Sequence, residues 1–105
     1  MDERVRRAIS ILESTGFRST SVGRLADAVG LSCSRLQHLF KRETGRSIRA
    51  YVKGRRLELA AALMLKSNRR VSEILYEVGF TDFSNFNHAF KRTFGVSPRN
   101  YRRRG

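Results

Sequence analysis

Residues 47–66, SIRAYVKGRRLELAAALMLK, decide the fold. They predict a single helix of 20 residues, about 30 Å long at 1.5 Å per residue. Ser47 is its expected N-cap, and Gly54 is the only weak helix former inside it. From Leu57 to Leu65 the positions are apolar almost all the way round, with Glu58 the exception. A helix that is apolar on every side needs neighbours on more than one side. The segments before and after it supply them, because they are copies of each other.

A shift of 50 superimposes Ser34, His38, Phe40, Lys41, Arg42, Gly45, Ser47, Arg49 and Tyr51 on Ser84, His88, Phe90, Lys91, Arg92, Gly95, Ser97, Arg99 and Tyr101. Just upstream the shift is 49, pairing Val22, Val29 and Gly30 with Val71, Val78 and Gly79. The second copy therefore carries one extra residue in its turn. Nine identities over 18 positions lie far beyond chance for this composition. Two copies are too few for a solenoid. Two similar lobes flanking a shared helix fit better, divided as 1–46, 47–66 and 67–105.

At 105 residues the chain is one domain, or two half-size lobes that need each other. A lobe of about 50 residues is marginal alone, so the central helix is expected to supply core to both. Lys and Arg outnumber Asp and Glu by 22 to 9, a formal charge of +13. That imbalance selects polyanionic partners, nucleic acid before an anionic membrane surface. The longest apolar run, Leu59–Leu65, is too short to span a bilayer, and no signal-peptide pattern opens the chain. A single cysteine forms no internal disulfide, which suits a reducing cytoplasm.

In chain order, Val5, Ala8, Ile9 and Leu12 give residues 3–14 the apolar spacing of an amphipathic helix, capped by Asp2 and ended at Thr15-Gly16. Residues 17–20 read as a connection. Ser21 caps a short helix holding Val22, Leu25, Ala26 and Val29, and Gly30 turns the chain. Ser32 caps helix 33–44, whose inward stripe is Leu36, Leu39 and Phe40, and Gly45 closes it. The second lobe repeats this with helix 72–78, Gly79, a cap at Thr81 or Asp82, and helix 83–94. The last of these is expected to bury Phe83, Phe86, Ala89, Phe90 and Phe94. Ser97-Pro98 starts the final helix, with Pro at its first position. Arg102, Arg103 and Arg104 read as a solvated tail with a nonspecific pull on phosphates. No strand pattern occurs. The expected fold is all-α, with seven helices in two homeodomain-like helix-turn-helix lobes joined by a long central helix.

The faces of the two later helices follow from the wheel. Opposite Leu36, Leu39 and Phe40 stand Ser34, Gln37, His38 and Lys41; opposite Phe86, Ala89 and Phe90 stand Ser84, Asn87, His88 and Lys91. A polar helix face is ordinarily just a solvated one, but here the same set occurs twice at equivalent positions in a strongly basic chain. Amides pair with adenine edges, and His donates to guanine acceptors. Ser34, Gln37, His38, Ser84, Asn87 and His88 are thus the candidate base readers. Lys41 and Lys91, with Arg35, Arg42, Asn85 and Arg92 on the shoulders, are placed for phosphates.

A short helix, a turn containing Gly and a second helix with a basic face describe a helix-turn-helix. The strings LADAVGLSCSRLQHLFKRETGRSIRAYV and ILYEVGFTDFSNFNHAFKRTFGVSPRNYRR resemble the paired motifs of the AraC/XylS family of bacterial transcription regulators. The second string is the more specific, and the resemblance covers essentially the whole chain. It implies two lobes whose second helices face the major groove, and a regulator, an activator by analogy, with double-stranded DNA and RNA polymerase as partners. Many members carry an added sensor or dimerisation domain, for which this chain has no room. It resembles a single-domain member or the DNA-binding part of a larger regulator, monomeric as it stands and dimeric if such a domain is attached. The expected location is the bacterial cytoplasm, on the nucleoid.

Other functions have less support. A nonspecific polyanion binder would place Lys or Arg where Ser34, Gln37, Ser84 and Asn87 stand. His38 and His88 have no carboxylate or thiol partner in register and no metal-ligand spacing, so neither enzyme chemistry, nor a metal, nor a cofactor is expected. Cys33, at the start of helix 33–44, reads as an inert small residue rather than a redox switch. Gly23, Gly30 and Gly79 form no phosphate loop, because no strand precedes them.

Overall fold

The structure, a computed structural model, describes residues 1–18 and 21–104. The expected connection at 17–20 is therefore described only at Phe17 and Arg18; residues 19 and 20 lie outside the described residues. The described residues form helices and connections without a strand: α1 (Glu3–Ser14), α2 (Val22–Val29), α3 (Cys33–Thr44), α4 (Ile48–Lys66), α5 (Val71–Glu77), α6 (Phe83–Phe94) and α7 (Pro98–Arg104).

Local chemistry sets most of these boundaries. The Asp2 carboxylate accepts from the Arg4 amide, Ser21 Oγ from Arg24, Ser32 Oγ from Arg35, Ser47 Oγ from Ala50 and Asp82 from Ser84. Each satisfies an amide that the first turn leaves without a helical partner. Of the two residues expected to cap α6, Asp82 does so. Helix α5 begins one residue earlier than expected. Arg70 holds its N-cap position, where the Arg70 amide donates to Glu73 Oε1, and Val78 is its C-cap.

The chain divides into two compact units, Met1–Gly54 and Arg55–Gly105, so the boundary falls inside α4 rather than at its ends. In the first unit Val5, Ala8 and Leu12 of α1 join Leu25, Ala26, Val29, Leu36, Leu39 and Phe40, and Ile48, Tyr51 and Val52 at the start of α4 pack on that cluster. Phe17, read from sequence as connection, is also buried there. It sits at φ +63°, with its amide donating to the Leu12 carbonyl across the end of α1.

In the second unit the latter part of α4 does what α1 does in the first. Leu57, Ala60, Ala61 and Met64 stand where Val5, Ala8, Ile9 and Leu12 stand, at a shift of 52. They share a core with Ile74, Leu75, Val78, Phe80, Phe86, Ala89 and Phe90. The equivalence continues at the other end: Tyr51 meets Phe40 edge-on at 5.3 Å and 82°, and Tyr101 meets Phe90 at 5.3 Å and 80°.

Three expectations are corrected. Helix α4 is not covered all round: Leu59 and Leu65 are exposed. Phe83 is not in the core but 51% exposed, and Phe94 is only half-buried against it. Arg102 is not tail. Its Nε donates to the Met64 carbonyl at 3.1 Å and its Nη2 to the Ser67 carbonyl at 3.3 Å, serving carbonyls that the end of α4 leaves over.

Candidate nucleic-acid interface

Each unit builds a helix-turn-helix from its own core. In the first, Gly30 adopts φ +74° and lets the Leu31 amide reach back to the Ala26 carbonyl, closing α2 and redirecting the chain into α3. In the second, Gly79 adopts φ +102° and the Phe80 amide reaches the Leu75 carbonyl. Both bonds span the end of a helix in the same six-residue pattern. Gly79 has a second constraint. A Cβ there would lie 3.0 Å from Arg56 Nε, and burial lowers the pKa of that guanidinium.

The buried stripe of α3 is Leu36, Leu39 and Phe40, and that of α6 is Phe86, Ala89 and Phe90. Opposite the first, Ser34, Gln37, His38 and Lys41 are exposed, with Arg35 and Arg42 exposed beside them. Opposite the second, Ser84, His88 and Lys91 are exposed, as are Asn85 and Arg92. Asn87 differs from its counterpart Gln37: it is half-buried. It lines a cleft in the second unit together with Phe83, with Arg70 and Ser72 at the start of α5 and with Arg99 at the start of α7. The sequence missed this recess because it depends on elements other than α6.

The Lys and Arg side chains of these helices take part in none of the recorded ion pairs. The ion pairs recorded among the described residues join Arg4 to Asp2, Arg6 to Glu3, Arg55 to Glu58 and Arg69 to Glu77, all outside α3 and α6. Lys41 and Arg42 end α3, and Lys91 and Arg92 end α6, where cations also complement the helix dipole. Among the described residues no group of three or more His, Cys, Asp or Glu side chains is placed to hold a metal ion, and no helix is long and apolar enough to cross a membrane.

Two compact units, each with a glycine turn before an outward-facing polar helix, define a helix-turn-helix protein, and residues 25–104 match the family described as helix-turn-helix domain. Within that class the chain belongs to the AraC-type family of transcription regulators. It is 40% identical over 87 residues to the transcriptional activator RhrA of Rhizobium meliloti, covering 81% of this chain and 27% of that one. To a putative AraC-like transcription regulator of Streptomyces lividans it is 34% identical over 102 residues, covering 97% of this chain and 34% of the other. Its backbone matches the C-terminal domain of AraT, a response regulator from Geobacillus stearothermophilus, with a TM-score of 0.89 and 30% identity, over 99% of this chain and 87% of that one. The chain spans about a quarter to a third of the length of the curated relatives it matches.

Proposed function

We propose that the chain is a sequence-specific double-stranded DNA-binding unit of a transcription activator, in which α3 and α6 each enter a major groove and the two grooves are adjacent. One observation carries this reading. Exposed Ser, His and Lys recur opposite the buried stripe of both helices at equivalent positions, with an amide side chain beside them in each, in a chain of charge +13. Ser34, Gln37, His38, Ser84, Asn87 and His88 read base edges, while Arg35, Lys41, Arg42, Asn85, Lys91 and Arg92 hold phosphates or flanking groups. The lobes at 1–46 and 67–105 do the reading, and 47–66 links them. The activator role is supported by the name of RhrA. The chain acts by binding, not catalysis, as a monomer, in the cytoplasm on the nucleoid, and RNA polymerase is the partner through which activation is exerted.

Selection of duplexes from a random pool, followed by footprinting, tests the proposal. Protection is expected over two adjacent major grooves on one side of the duplex; uniform coating without sequence preference overturns it. Gln37→Ala is expected to relax specificity at one position, costing about 1–3 kcal/mol. Lys91→Ala is expected to weaken binding to all sequences alike and to reduce the salt slope by about one.

A further inference from the structure

Phe83 has no role in the second core, although its spacing from Phe86 and Phe90 would place it there. It is the first residue of α6, and half its surface is open. A single exposed apolar residue is ordinary. The setting of this one is not. It stands one helical turn before Asn87, so the two share a face. Both line the same cleft, as do Arg70 and Arg99. The cleft therefore offers cations, an amide and an apolar ring within one small region. A nucleotide in duplex DNA presents a phosphate and a base edge, and the one apolar group that base pairs show in the major groove is the thymine C5 methyl.

We infer that Phe83 is a specificity-determining residue of the second lobe, packing on the methyl group of a thymine next to the base that Asn87 reads. The inference rests on the reading of α6 as a groove-inserted helix, whose first residues meet base edges. It also makes the two lobes unequal. The position equivalent to Phe83 in α3 is Cys33, exposed but far smaller, so the first lobe has no such apolar reader.

The test uses the whole chain and duplexes that it selects from a random pool. Each thymine in the half-site of the second lobe is replaced in turn by deoxyuridine, which deletes the methyl group and nothing else. The wild type is expected to lose about fourfold in affinity at one thymine, the scale of one methyl group returned to water. Phe83→Ala is expected to lose about the same on the thymine duplex and to show no further loss with uracil. Phe83→Leu retains an apolar contact and is expected to keep part of the discrimination, while Gln37→Ala keeps all of it. Selective binding by a wild type indifferent to uracil at every position would overturn the inference and leave the DNA-reading function standing. Equal uracil sensitivity in the wild type and Phe83→Ala would do the same. Failure to enrich any duplex would remove both.

Discussion

The two lobes share a backbone plan and differ in what fills it. In the first, α3 presents Leu36 and Phe40 to aliphatic side chains from α1, and the recorded ring pair of Phe40 is with Tyr51. In the second, Leu36 has become Phe86, Leu31 has become Phe80 and Thr44 has become Phe94, and the rings form a chain: Phe80 to Phe86 at 5.0 Å, Phe86 to Phe90 at 5.8 Å, Phe90 to Phe94 at 4.6 Å. The added volume is compensated where Ile9 of α1 corresponds to Ala61 of α4, in the same core as those rings. One geometry thus accepts either an aliphatic or an aromatic interior, provided total volume and pattern are kept. What the copies preserve more strictly is the glycine turn at Gly30 and Gly79, the serine at Ser47 and Ser97, and the Ser, His and Lys of the outward face.

Truncating the ring common to both lobes gives the largest expected effect. Phe90 touches Phe86, Phe94 and Tyr101, whereas the recorded aromatic partner of Phe40 is Tyr51. Phe90→Ala is expected to cost about 3–5 kcal/mol, the range for deleting a buried Phe. Phe40→Ala should cost less, by about 1–3 kcal/mol if each missing ring pair contributes about 0.5–1.5 kcal/mol. Urea unfolding of the two variants followed by circular dichroism measures the difference. Equal costs would show that the aromatic chain fills space without adding ring-pair energy.

The turns offer a finer contrast. Gly30 and Gly79 occupy equivalent positions with positive φ, so alanine is strained at both, by about 1–2 kcal/mol for a left-handed residue. At Gly30 a Cβ would meet no atom within 4 Å, while at Gly79 it would lie 3.0 Å from Arg56 Nε and 3.1 Å from Arg56 Cζ. Gly79→Ala should therefore lower the melting temperature more than Gly30→Ala. The excess should shrink when both are compared in an Arg56→Ala background. An excess that survives there would assign it to the larger φ of Gly79 rather than to the guanidinium.

These contrasts also show which parts of the molecule the sequence discloses. Caps at Asp2, Ser21, Ser32 and Ser47 and the ends at Gly30, Gly45 and Gly95 are readable because each depends on residues within one turn. The outward placement of Gln37 or His88 is readable because a buried stripe lies opposite. Periodicity misplaces Phe83 because it assumes that a neighbour extends as far as the helix does, and at the first residue of α6 half of the ring stays open. The repeat carried a signal, since Cys33 stands at the same position outside the first core. Arg102 reads as tail in the sequence because its partners are 35 and 38 residues away. The clue was that α4 ends without a glycine, leaving carbonyls in need of a donor. The role of α4 as the counterpart of α1 was written in the spacing of Leu57, Ala60, Ala61 and Met64, but the only strict identity among the four pairs is Ala8 with Ala60.

That last correspondence has an end that differs in charge, and it sets the smallest expected effect. Asp2, which begins α1, corresponds to Gly54, which lies within α4, where the helix is continuous and no cap is required. The Asp2 carboxylate accepts from the Arg4 side chain and from the Arg4 amide, and these hydrogen bonds hold its pKa below the ordinary carboxylate value. Its own amide donates to Glu43 Oε1, tying the start of α1 to the end of α3. A carboxyl whose pKa is lower folded than unfolded adds stability above its unfolded pKa, and that contribution is lost as pH falls through the folded one. Asp2→Asn keeps a capping oxygen but removes the charge. The variant should be slightly less stable than the wild type at neutral pH, with the gap closing as the solution is acidified through and below the ordinary carboxylate range. Urea midpoints for both proteins across that range measure it. Because the position equivalent to Asp2 carries no carboxyl, the effect belongs to the first lobe, and hydrogen exchange should place it in α1 rather than in α4. A gap that persists in acid would mean that Asp2 acts through the shape of its cap and not through its charge.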